Sequence, residues 1–130
     1  MNNYIIFRKD LKLNKNKKIG NIGERLAKVY LLVNGYQILK CNYRIKIGEI
    51  DIIAKKNNII HFVEVKTRTN KRIEARESIG KTKCDHILRV AKYYLSKNKI
   101  YDIGCQVDAI EVYLQKGSIE IDHIEQIIAY

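Results

Sequence analysis

Three carboxylates and a lysine sit where two neighbouring apolar stretches can bring them together. In Gly48-Glu49-Ile50-Asp51-Ile52-Ile53-Ala54, and again in Ile59-Ile60-His61-Phe62-Val63-Glu64-Val65-Lys66-Thr67-Arg68, charged residues interrupt β-type runs. Side chains along a strand alternate faces with a period of two. Glu49 and Asp51 then share one face of the first run, and Glu64 and Lys66 one face of the second. Ile50, Ile52, Val63 and Val65 point the other way. The polar Lys55-Lys56-Asn57-Asn58 between them reads as the turn of a hairpin. A register that joins the polar faces gathers Glu49, Asp51 and Glu64 with Lys66 on an otherwise apolar sheet. Such a cluster is costly to bury unless positive charge compensates it.

A hard divalent cation supplies that charge most naturally. Mg²⁺ takes oxygen ligands, usually one or two carboxylates with waters and substrate phosphate, and Mn²⁺ suits the same donors. Asp51 and Glu64 fit the ligand role. Lys66, while protonated, cannot ligate a metal, but it can orient a water and stabilise charge building on a phosphorus centre. The pattern suits phosphodiester cleavage. A second reading is an exposed, salt-bridged hairpin with Glu64 and Lys66 paired along one strand. Against it, Ile59 to Val63 reads as buried on both faces. That places the polar residues at the end of a central strand, where ligand and catalytic groups of α/β sheets gather.

These two segments resemble the core of the PD-(D/E)XK nuclease superfamily, and the chain as a whole is similar to the bacterial YraN-like family. The matching pieces are Gly20-x-x-Gly23-Glu24 with Ala27, Leu32 with Gly35-Tyr36, Asn42-Tyr43-Arg44, Gly48-Glu49-Ile50-Asp51 and Val63-Glu64-Val65-Lys66-Thr67-Arg68, then Lys83, Ala91 and Tyr94-Leu95. The usual Pro-Asp is here Ile50-Asp51, which leaves the carboxylate in place. The resemblance implies a restriction-endonuclease-like α/β fold, a mixed central sheet of about five strands flanked by helices. It implies a Mg²⁺-dependent (or Mn²⁺-dependent) endonuclease acting on DNA, with Asp51 and Glu64 as metal ligands and Lys66 as a catalytic residue. It also implies that a helix-borne acid, Glu24, completes the site; Glu49 is the weaker candidate. Two alternatives stay open: a DNA-binding or accessory module that kept the fold without turnover, and a resolvase-like variant acting on branched DNA.

The chain of 130 residues is one domain's length, and 25 Lys plus Arg against 14 Asp plus Glu leave a net charge of +11. The excess points to a polyanionic partner, nucleic acid above all. Compositional bias toward Ile, Asn and Lys is the competing explanation. No run of apolar residues is long enough to span a membrane, and no signal-peptide pattern opens the chain, so cytoplasmic residence is the default expectation. Cys41, Cys84 and Cys105 fit neither a disulfide framework nor a zinc pattern and are expected as buried small hydrophobes. His61, His86 and His123 lack metal-ligand spacing.

The positioning elements follow from periodicity. Residues 1–18 are expected as a basic, flexible arm, and 19–130 as the single domain. A helix is expected from Asn21, with Asn21 as N-cap and Glu24 at N3, ending at Gly35. Gly20 and Gly23 allow its end a close approach to the sheet. Gln37 to Lys46 reads as a strand with Leu39, Cys41, Tyr43 and Ile45 on one face and Lys40, Asn42, Arg44 and Lys46 on the other. Arg44, Thr67 and Arg68 are the candidates for phosphate contacts. Thr69 to Lys83 reads as a basic loop, and Thr82 to Lys97 as a helix with Ile87, Leu88, Ala91, Tyr94 and Leu95 as its stripe. Cys105 to Leu114 reads as a buried strand whose Asp108 lacks a surface role and is expected to pair with a core basic group or support the site. Ile119 to Asp122 reads as a last strand, and the tail from Ile124 is expected to pack back on the core.

Overall fold

The computed structural model describes residues 12–69 and 80–128, with side chains from Lys17 onward. The elements run α1 (Lys12–Val33), β1 (Gln37–Ile45), β2 (Gly48–Lys56), β3 (Ile59–Arg68), α2 (Lys81–Lys97), β4 (Gly104–Gln115) and β5 (Ser118–Ile124). The five strands lie in sequence order in one sheet. Only β3 and β4 are parallel; the other neighbours are antiparallel. That single parallel pair needs a crossover, and α2 provides it. The result is the expected α/β architecture, a mixed five-stranded sheet with a helix on each face.

Each helix buries one stripe. Ala27 and Leu31 of α1 pack on Ile52, Ala54, Val63, Ile110 and Val112. Ile87, Val90, Ala91 and Tyr94 of α2 pack on Ile50, Ile53, Phe62 and Val107. The central strand β3 is therefore covered on both faces, and its residues Ile60 to Glu64 are all buried. Ile127 and Ile128 pack against the α2-side core, as expected of the tail.

Local chemistry sets the corners. Gly35, at φ 86°, ends α1. Tyr36 N–H donates to the Leu31 carbonyl and Gly35 N–H to that of Leu32, a Schellman pair in which Tyr36 and Leu31 also share the core. Asn57 and Asn58, at φ 50° and 62°, form the two-residue turn between β2 and β3, the left-handed pair that suits hairpin twist.

Several expectations are corrected. Helix α1 begins at Lys12, upstream of Asn21, so Asn21 is an interior residue and no N-cap. Glu24 consequently has no capping task. The Lys-rich run before it contains no breaker except Gly20, which costs a helix only about 1 kcal/mol. Of the expected arm, residues 1–11 lie outside the described residues, as do 70–79 of the basic loop. Cys41 and Cys105 are exposed and Cys84 half-buried, all as free thiols. Cys41 fails to follow Leu39 inward because β1 is an edge strand whose register shifts between Ile38 and Lys40. Finally, Ile50 and Ile52 do not share a face: Ile50 packs toward α2 and Ile52 toward α1. The alternation slips at Asp51, between them.

Candidate active site

The slip at Asp51 builds the site. The β2–β3 ladder runs from Lys56↔Ile59 to Ile52↔Val63 and includes neither Asp51 nor Glu64. Beyond it, the Val65 N–H donates to Asp51 Oδ2 at 2.8 Å. A side chain thus takes the donor that the next rung would have used, and the two strands part around a carboxylate. Glu64 is buried, at 4 % exposure, and its side chain meets that of Asp51.

Helix α1 brings the third acid. A Cβ at Gly23 would lie 1.8 Å from Thr67 Oγ1, so only glycine lets α1 cross the end of β3 this closely. Glu24, the next residue, faces Glu49 and Glu64. Glu24, Val65, Lys66 and Thr67 line a cleft of about 240 Å³ together with Ile19, Gly20 and Thr69.

Two ammonium groups answer the acids. Lys66 Nζ lies 3.4 Å and Lys83 Nζ 3.3 Å from the same oxygen, Glu64 Oε2. Lys83 comes from the first turn of α2; in the sequence it is legible only as part of a family resemblance, not as a site residue. The balance still leaves Asp51 short of partners. Burial, then the Glu64 charge, raise its pKa from the ordinary value to about 8; the Val65 N–H pulls the other way, and Glu24 adds to the rise. Glu24 is also raised, by burial first and then by Glu49 and Glu64.

The remaining candidates lie around this centre. Glu49 is engaged by Arg44 across the β1–β2 pair, with Arg44 Nη2 at 2.8 Å and the Arg44 side chain three-quarters exposed. Arg44 is thus on the open surface, held by Glu49. Arg68 lies beyond Lys66 on β3, its Nε 3.3 Å from Glu111 Oε2. Its Nη2 is buried and has no hydrogen-bond partner among the described residues. Glu111 is itself buried and also accepts from the Tyr113 hydroxyl. That hydrogen bond, and burial after it, push the Tyr113 phenol up to about 12.

A second polar cluster lies under the C-terminal half of α1. Asp108, fully buried, accepts on Oδ2 from His61 Nδ1 at 2.6 Å and His123 Nε2 at 2.8 Å. Its Oδ1 accepts from Gln106 Nε2 and from the Gln126 N–H. The Tyr30 hydroxyl meets the far nitrogen of His123 at 3.1 Å. Burial would raise Asp108, but the bonds from His123, His61, Gln126 and Gln106 outweigh it and hold the carboxyl well below its usual range. Two imidazoles and a carboxylate so grouped invite comparison with a metal centre. Their spacings, however, are those of hydrogen bonds, and every Asp108 lone pair has a donor. This is the core basic pairing expected for Asp108, and it is structural. The histidines come from β3 and β5, so no spacing along the chain reveals it.

The sheet order, the two flanking helices and the parting of β2 from β3 define a restriction-endonuclease-like α/β domain. The chain belongs to the uncharacterised protein family UPF0102, whose profile matches residues 23–112. It is 48% identical over 113 residues to a UPF0102 protein of Alkaliphilus oremlandii, covering 85% of this chain and 97% of the relative. A UPF0102 protein of Clostridioides difficile is 47% identical over 110 residues, 84% and 95% of the two chains. One of Clostridium botulinum (strain Alaska E43 / Type E3) is 42% identical over 113 residues, 85% and 93%. The matched span contains Glu24, Asp51, Glu64, Lys66 and Lys83. No helix among the described residues is long and apolar enough to cross a membrane.

Proposed function

We propose that this protein is a nucleic-acid-binding phosphodiesterase, an endonuclease acting on DNA with Mg²⁺ or Mn²⁺. One observation carries the reading: Asp51 and Glu64 are placed against each other at a strand parting, and Asp51 is kept from ionising readily by burial and then by the acids around it. Asp51, Glu64 and Glu24 bring three carboxyl groups to a site where Lys66 and Lys83 bring two ammonium groups, so full ionisation of the acids leaves negative charge in excess. An all-oxygen donor set with surplus negative charge fits a hard divalent ion. When bound, such an ion polarises a phosphoryl oxygen and makes water a better nucleophile.

The residues have separable tasks. Asp51 and Glu64 would hold the ion. Lys66, at the cleft wall, orients the attacking water and donates to the phosphoryl oxygens as charge grows there. Water oxygen bonds to phosphorus as the P–O ester bond breaks, and the departing sugar oxygen takes a proton from solvent water to leave as a hydroxyl. The water's proton passes to a carboxylate of raised proton affinity, for which Glu24 is placed. Thr67, at the cleft wall, is placed for a flanking phosphate, whereas the guanidinium of Arg68 is turned inward onto Glu111 and reaches one only if that pair opens. The net charge of +11 supports binding the backbone as a whole.

A second reading has its own observation. With both Lys66 and Lys83 on Glu64, that carboxylate is neutralised without any metal, as in a DNA-binding accessory module on the same fold. Cleavage assays on linear duplex, single-stranded and branched DNA with Mg²⁺ and Mn²⁺ separate the two. Catalysis predicts metal-dependent cleavage that Lys66→Ala abolishes. Binding without cleavage, equal in wild type and Lys66→Ala, supports the accessory module.

A further inference from the structure

The two ammonium groups on Glu64 have a consequence for how the protein meets its polyanion. Lys66 is on β3 and Lys83 on α2, two elements that approach here from different directions, and both point at one buried oxygen. The Lys66 side chain is 28% exposed and that of Lys83 39%, against 5% for Glu64. The lysines therefore border solvent, while the carboxylate that restrains them does not. Each is within reach of an incoming phosphate, yet each is engaged as long as Glu64 stays unliganded.

We propose that Glu64 is a cation-operated latch: without a divalent ion it sequesters Lys66 and Lys83, and an ion taken by Asp51 and Glu64 releases both lysines to the nucleic-acid backbone. This rests on the reading of Asp51 and Glu64 as metal ligands, but not on turnover. A divalent ion at Glu64 satisfies the carboxylate and places like charge beside both ammonium groups, so they leave it. Freed, they are two more cations for phosphate. Linkage then requires that ion and nucleic acid each strengthen the other's binding. Asp51 adds to the effect, because the acid that Glu64 crowds gains from the same ion.

The effect is readable as a count of phosphate contacts. The slope of log K against log salt steepens by about 0.9 for each cation engaged on duplex DNA. Binding of a fluorescently labelled DNA duplex is measured over a salt series, in EDTA and in Ca²⁺, a hard cation used so that binding is read apart from cleavage. In EDTA, Lys83→Gln is expected to leave the wild-type slope unchanged, because Lys83 is held by Glu64. In Ca²⁺, Lys83→Gln is expected to make the slope shallower by about 0.9. Glu64→Gln is expected to make the EDTA slope steeper by up to about 1.8, the gain of both lysines. Ca²⁺ is held fixed and far below the monovalent salt, so that monovalent ions dominate the duplex's counterions and the slope per contact stays near about 0.9.

The latch is overturned if Lys83→Gln lowers the slope equally with and without Ca²⁺, or lowers it in neither. The wild type against Lys83→Gln comparison needs no change at Glu64, so it stands even where Glu64→Gln folds poorly. Metal-dependent cleavage without this conditional slope refutes the latch and keeps the enzyme. The conditional slope without cleavage in Mg²⁺ or Mn²⁺ keeps the latch and refutes the enzyme.

Discussion

Asp51 and Asp108 sit on the two strands that flank β3, and burial raises the proton affinity of both, yet their carboxyls end up shifted in opposite directions. Asp108 is wrapped by donors: two imidazoles, an amide side chain and a backbone N–H. Asp51 has one backbone N–H and otherwise faces Glu64 and Glu24. Burial sets the size of the problem, and the neighbours set the sign. Where a carboxylate serves the fold, the chain supplies its hydrogen bonds in full. At Asp51 the chain supplies further acids instead, and in the proposed function a divalent cation relieves them.

The largest expected effect breaks the satisfied side of this comparison. Asp108→Ala strands His61, His123, Gln106 and the Gln126 N–H in the core, and should cost roughly 3–5 kcal/mol in urea denaturation. A loss under about 1 kcal/mol would show that the network contributes little. Next is the helix crossing that delivers Glu24. Gly23→Ala drives a methyl into Thr67 and should cost about 1–3 kcal/mol. Adding Thr67→Ala should recover part of that loss; no recovery would mean the clash lies elsewhere.

The unsatisfied side should respond the other way. Asp51→Asn keeps an acceptor for the Val65 N–H and replaces an acid–acid contact with an amide–acid one. Stability at pH 8 should be unchanged or higher by about 1 kcal/mol, with any Mg²⁺-dependent rise in Tm lost. The pH dependence follows from the direction of the shift. Asp51 binds its proton more tightly folded than unfolded. Its favourable contribution is therefore full below the ordinary carboxylate range and is lost as pH rises through about 8. The advantage of Asp51→Asn over wild type should grow across that window in metal-free buffer, and a flat difference would count against the shift. Asp108 predicts the opposite: its contribution is present above the ordinary range and is lost as pH falls into strong acid. The smallest effect is expected at the surface, where Arg44→Ala should change stability by less than about 0.5 kcal/mol, since its pair with Glu49 is open to solvent.

Much of this contrast is legible in the amino-acid sequence. The period-two pattern around Asp51 and Glu64 and the Asn57-Asn58 turn are local, and both specify the hairpin. Gly35 marks the helix end, and the isolated acid in an apolar run marks Asp108 as paired. Three things are not legible there. The slip that separates Ile50 from Ile52 depends on β2 parting from β3, which alternation along one strand cannot express. The approach of Lys83 to Glu64 and of both histidines to Asp108 is set by sheet order and crossover, which lie beyond any local spacing. The start of α1 is hidden because Asn21 and Glu24 imitate a capping box, while the upstream lysines simply continue the helix.

The cation site at Asp51 is tested most sharply by titrating the Asp51 carboxyl itself, followed by NMR on carboxyl-labelled protein with and without Mg²⁺. The metal-free midpoint should be raised to about 8. With saturating Mg²⁺ the midpoint should fall below about 5, because the bound ion favours the ionised form. A midpoint in the ordinary aspartate range, unmoved by Mg²⁺, would mean that Asp51 is neither crowded by Glu64 nor a cation ligand.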